Sequence, residues 1–163
     1  MVAREPGFTL VELMVTIAII GFLAMVAAPY TISWIHEANV NSARSLLHQA
    51  HSKAKALALR NPEGEGLGSV AASVVLSDGS LMVCQGEPSG GTCSGSPVWQ
   101  GEWPAGVTLA MTVDEVTVAN ILINNRGQIL DDSANPINGG LAFSLSKGSV
   151  TYGSGDNEDN KLR

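Results

Sequence analysis

Between Phe8 and Ala28 the chain holds 21 consecutive residues in which Glu12 is the only ionisable side chain. No other stretch restricts the fold as much. A helix of that length rises about 31 Å, enough to cross the hydrocarbon core of a bilayer. An acid costs about 2.5–3.5 kcal/mol at the centre of a membrane helix and less towards its end. Glu12 lies near the end, and even there it calls for a partner or a role.

The run is headed by Gly7-Phe8-Thr9-Leu10-Val11-Glu12 and followed by Pro29-Tyr30. This pattern resembles the start of a type IV prepilin or a type II secretion pseudopilin. The resemblance implies that a prepilin peptidase in the membrane cuts between Gly7 and Phe8, removing residues 1–7 as a leader. It implies that the new amine of Phe8 is N-methylated and that residues 8–29 are kept as a transmembrane and filament-core helix. A secretory signal peptide differs, because its apolar part lies before the cut. It further implies that Glu12 pairs with the terminal amine on Phe8 of a neighbouring subunit. Electrostatics agrees: in an apolar surround a lone charge is costly and a pair much less so. The leader holds Arg4 and Glu5 and is less basic than such leaders usually are, so it supports no positive-inside argument. The plainer alternative is an ordinary signal anchor with one stray acid.

The remainder, 30–163, has the length of one domain. Residues 1–60 carry five Lys/Arg against three Asp/Glu, a balance of +2, and residues 61–163 carry four against twelve, a balance of −8. The acidic distal part argues against broad phosphate-backbone binding. Cys84 and Cys93 flank the turn-rich octet Gln85-Gly86-Glu87-Pro88-Ser89-Gly90-Gly91-Thr92. Beyond the inner membrane the compartment is oxidising, so a disulfide is expected, worth roughly 2–3 kcal/mol. Two unpaired thiols are the alternative. A metal site there lacks a nearby His or second Cys pair.

Pro29 falls inside the helical pattern and is expected to kink the helix without ending it. The helical pattern resumes with Ile32 and Ile35 and then runs through Ala43, Leu46, Leu47, Ala50, Ala54, Leu57 and Ala58, the three-and-four spacing of one apolar face. Lys53, Lys55 and Arg60 suit the C-terminal end of the dipole, and Asn61-Pro62 with Glu63-Gly64-Glu65-Gly66 stops it. One helix from about Phe8 to Arg60 follows, apolar all round at first and amphipathic later. The amphipathic half needs cover. Short β-prone segments supply it: Val70–Leu76, Leu81–Cys84, Val98–Gln100, Val107–Val113, Val118–Asn124, Gln128–Leu130, Leu141–Leu145 and Ser149–Tyr152. Ser77-Asp78-Gly79-Ser80 and Asn125-Arg126-Gly127 read as hairpin turns. The expected fold is α+β and pilin-like: a long helical spine, transmembrane in its first half, with antiparallel sheets on its C-terminal half.

Ser42-Ala43-Arg44-Ser45-Leu46-Leu47, Trp99-Gln100-Gly101 and Ile121-Leu122-Ile123-Asn124-Asn125-Arg126-Gly127 resemble the H-type pseudopilin and FimT/FimU-type minor pilins. Trp99 and Trp103 are better read as filling the core. Some relatives of this type take up DNA with a basic tail. Here the tail 153–163 has three acids against two bases, so nucleic acid is not an expected partner.

Other candidates fall away. His48 and His51, three apart, have no third ligand in the pattern and read as solvated helix histidines, like His36. Gly64-x-Gly66-x-Gly68 follows a helix and lacks a Lys-Ser/Thr pair, so it is a turn. The loops at Asp131-Asp132-Ser133-Ala134-Asn135 and Asp156-Asn157-Glu158-Asp159-Asn160 are oxygen-rich, but their spacing fits no calcium loop and they read as solvated acids. No catalytic constellation, metal or cofactor site is expected. The expectation is a non-enzymatic minor pilin or minor pseudopilin. It would be a single-pass inner-membrane protein with a periplasmic domain, later part of a periplasmic or surface filament. Its partners would be other minor and major pilins or pseudopilins, the prepilin peptidase and the inner-membrane assembly platform. Two alternatives remain, the H-type pseudopilin of a type II secretion system and a ligand- or DNA-binding pilus-tip module.

Overall fold

The computed structural model describes residues 7–66, 68–113, 116–137, 140–153 and 161–162, without the side chains of 28–30. A single helix, α1, spans Leu10–Arg60, 51 residues. It stops at Asn61, whose φ of +44° is left-handed and whose N–H donates to the carbonyls of Leu57 and Ala58 at 3.1 Å each. Asparagine takes the place that glycine commonly holds at a helix C-terminus. Its side chain then ties down the exit: the amide donates to the Glu65 carbonyl at 2.9 Å and its oxygen accepts the Glu65 N–H at 2.8 Å. The helix continues through Pro29 without ending there.

The chain divides into two compact units, Met1–Ile35 and His36–Arg163. In the first, every residue from Gly7 to Ala27 is exposed. Ile32 and Ile35, where the helical pattern is expected to resume after Pro29, lie within α1 and are exposed, 55% and 53%. His36 and Asn39 are half-buried, and Val40 is the first buried helix position.

In the second unit the helix buries Val40, Ala43, Leu47, Ala50, Ala54 and Ala58. The alanines present almost no side chain, which lets a sheet lie close along the seam. The first sheet has the order β3-β2-β1-β6-β7, from Trp99–Glu102, Ser80–Gln85, Val70–Ser77, Ile121–Asn124 and Ile129–Leu130. The second has the order β10-β8-β4-β5, from Lys161–Leu162, Leu141–Lys147, Thr108–Val113 and Val116–Val118, with β9 (Val150–Tyr152) also paired to β8. All pairings are antiparallel. At the β1–β2 turn Asp78 and Gly79 have φ of +50° and +71°, the two left-handed positions of a tight two-residue hairpin.

One core joins the helix seam to both sheets, including Val74, Leu81, Val83, Ile121, Ile123, Phe143 and Leu145. On β1, residues Val70 to Val75 are all buried, so the strand is covered on both faces. Val70, Leu122 and Leu130 form a separate small cluster, capped by Ala134 from the loop after β7. The fold is therefore α+β and pilin-like, a long N-terminal helix followed by antiparallel sheets. Two details depart from the sequence reading. The run Val118–Asn124, expected as one strand, bends at Ala119-Asn120: Val118 ends β5 in the second sheet and Ile121 starts β6 in the first. The tail also returns, Lys161–Leu162 pairing with Ala142 and Leu141, with Leu162 buried.

Candidate functional site

The N-terminal hexapeptide sits at the first turn of α1. Thr9 caps the helix: its hydroxyl oxygen accepts the Glu12 N–H at 3.2 Å and its carbonyl accepts the Leu13 N–H at 3.2 Å. Thr9-x-x-Glu12 has the spacing of a capping box, a signal the sequence reading passed over. Glu12 thus lies where the helix dipole favours an anion. Its carboxylate has no ion-pair partner among the described residues. Phe8 precedes the cap and is 84% exposed; Gly7 is exposed beside it. Further along, the hydroxyls of Thr16 and Thr31 donate to the carbonyls of Leu13 (2.8 Å) and Ala27 (3.3 Å), so these polar groups are satisfied within the helix. By length and composition α1 can cross a membrane.

Cys84, at the end of β2, and Cys93 form a disulfide with Cα atoms 5.2 Å apart. Cys84 is fully buried, so the bond moors the 85–92 loop to the sheet. Trp103 is buried and its indole N–H donates to the Val107 carbonyl at 2.9 Å. Trp99 packs against the core. A Cβ on Gly101 would stand 2.7 Å from the Trp99 ring and 2.8 Å from Leu46, which is the physical reason for a glycine two residues after that tryptophan.

The histidines are not solvated. His51 is buried, only 7% exposed, and its Nε2 has no hydrogen-bond partner. Burial first, then the charges of Lys55 and His48, push its imidazole down to about 4. His48 is half-buried and meets the Phe143 ring edge-on at 5.7 Å; burial and the Arg44 charge lower its pKa. Phe143 of β8 reaches over the polar side of the helix at His48, so that side is partly covered.

Asp131 is engaged within its own loop. Its Oδ1 accepts the N–H groups of Ser133 (2.9 Å) and Asn135 (2.8 Å), and the Asn135 amide lies 3.4 Å from Oδ2. The Asn135 backbone N–H above all holds the carboxyl below its ordinary range. The loop shapes the cap that Ala134 places on the first sheet. Among the described residues no group of three or more His, Cys, Asp or Glu could hold a metal. The acids at 156–160 lie outside the described residues.

The structure therefore joins the two cysteines and gathers Gly7, Phe8, Thr9 and Glu12 at one helix end. It gathers nothing resembling a catalytic centre among the described residues. No curated protein and no solved structure gives a match. A family model does: the prokaryotic N-terminal methylation motif matches residues 3–28, so the chain carries the type IV prepilin signature at the head of α1.

Proposed function

We propose that this chain is a minor pilin or minor pseudopilin, a structural subunit that assembles with other minor subunits to prime or cap a type IV pilus. One observation carries the reading: the methylation motif at residues 3–28 heads an apolar helix exposed along its whole described length to Ala27. A surface of that kind is stable only in lipid or against other apolar helices. Residues 1–7 are the leader, the cut falls between Gly7 and Phe8, and Phe8 is N-methylated. Residues 8–29 hold the subunit in the inner membrane and later in the filament core, and 30–163 form the periplasmic domain. Assembly involves the prepilin peptidase, the inner-membrane platform and pilin-type neighbours.

Glu12 pairs with the Phe8 amine of the next subunit, which relieves the cost of either charge alone in an apolar core. The capping geometry sharpens the test. Glu12→Gln keeps a residue suited to the third position of the capping box while removing the charge, and Glu12→Ala removes both. Both variants are expected to be cut normally and to enter filaments poorly, measured by immunoblot of sheared filaments against membranes. Wild-type incorporation of Glu12→Gln would contradict the pairing. The same residues also fit the H-type pseudopilin of a type II secretion system; Trp99-x-Gly101, with its steric need for glycine, is the observation behind that second reading.

A further inference from the structure

The charge of the second unit is sorted in space. From residue 38 to residue 62 there is no acid, while Arg44, Lys53, Lys55 and Arg60 supply four bases. Along the helix lies a hollow of about 770 Å³ in which Arg44, His48 and Lys53 stand among Asn41, Ser45 and Gln49, with no carboxylate among the described residues that line it. Lys53 also belongs to an adjoining hollow of about 270 Å³ that reaches Arg60 and Trp99. The two charges at the rims are held by rings: the Arg44 guanidinium lies 4.3 Å from the centre of Tyr152, and the Lys53 ammonium 5.7 Å from that of Trp99. Stacking of this kind fixes a cation without neutralising it.

The opposite arrangement lies past the end of the helix. A hollow of about 450 Å³ beside the disulfide loop is lined by Glu63, Glu65 and Glu87, with no base among the described residues that line it. Glu63 accepts a hydrogen bond from the neutral amide of Gln85 at 2.6 Å, which leaves its charge uncompensated. Among the described residues none of Arg44, Lys53, Arg60, Glu63, Glu65 and Glu87 is in an ion pair.

We propose that the basic helix groove of one copy is the docking site for the acidic Glu63–Glu65–Glu87 loop surface of a second copy of this chain. One domain carries both halves of the contact, in separate hollows, and their charges are complementary. A net charge of −6 adds a general repulsion between copies, which a contact between opposite patches offsets. Two different patches make the interface heterologous. The contact belongs to the second unit alone and stands without the Glu12 pairing.

The test uses the full chain in detergent micelles, as an equal mixture of isotope-labelled and unlabelled copies. A carbodiimide joins amines to nearby carboxylates, and mass spectrometry separates links between copies from links within one. The expected result is mixed-isotope pairs joining Lys53 to Glu63, Glu65 or Glu87. Their yield falls roughly fivefold in about 0.5 M salt, as suits exposed charges. Arg44→Glu weakens them too. A variant carrying Glu63→Lys, Glu65→Lys and Glu87→Lys does not associate alone, but linkage between copies returns when it is mixed with the Arg44→Glu, Lys53→Glu variant. Links from Lys53 confined to one copy overturn the proposal. So does equal linkage from Lys147 and Lys161, indifference to salt, or no recovery on mixing. The wild-type pattern and its salt response need no variant, so a variant that fails to fold leaves the test decisive.

Discussion

His51 shows what one buried imidazole does to a helix seam. It sits beside Ala50 and Ala54 with Nε2 unpartnered, and the charged groups acting on it are Lys55 and His48. Its ordinary pKa of 6.5 drops to about 4 in the folded chain. Between those values the unfolded chain binds more protons, so stability falls there as the pH is lowered. Almost nothing is lost well above 6.5, and the full loss, on the order of 3 kcal/mol, is reached below about 4. Urea unfolding of the full chain in detergent should show this drop between about pH 7 and pH 4, and His51→Leu should remove most of it. An unchanged drop in His51→Leu would show that another group is responsible. None of this was legible in the sequence. A histidine three after another, off the main apolar stripe, reads as solvated, and only the placement of β8 against His48 shows that this side is covered. Thr9 was legible through Thr-x-x-Glu, yet the apolar run drew the eye past it.

At the scale of elements, the helix and most strands follow from period and punctuation. Alanines at three-and-four spacing mark the seam, and Asp78-Gly79 marks the first hairpin. The bend at Ala119-Asn120 was hidden because Val118 and Ile121–Asn124 read as one apolar run, and alternation does not say which sheet a strand joins. The return of Lys161–Leu162 was hidden by its length: two residues carry no periodicity. The disulfide was legible from the cysteine spacing together with the oxidising compartment. It anchors an eight-residue loop to β2 through a buried Cys84. Replacing the exposed-side partner, Cys93→Ser, should cost roughly 2–3 kcal/mol by chemical denaturation. Preserved stability in that variant would mean that the 85–92 loop holds its place without the bond.

At the scale of the whole molecule, two kinds of surface need company. The first is the apolar helix of the N-terminal unit, exposed from Phe8 to Ala27, which calls for lipid or other helices. The second is the segregated charge of the globular unit, which calls for a complementary neighbour. The apolar surface was plain from the amino acids, because 21 residues with one acid admit few fates. The charged surfaces were visible only as a balance along the chain, and their concave shapes needed the fold. A filament subunit of this kind requires that the prepilin signature be processed. The most direct measurement is the intact mass of the chain purified from membranes that contain prepilin peptidase. The expected product begins at Phe8 and carries one added methyl group on its amine. A chain still beginning at Met1, or cut anywhere other than after Gly7, would contradict it.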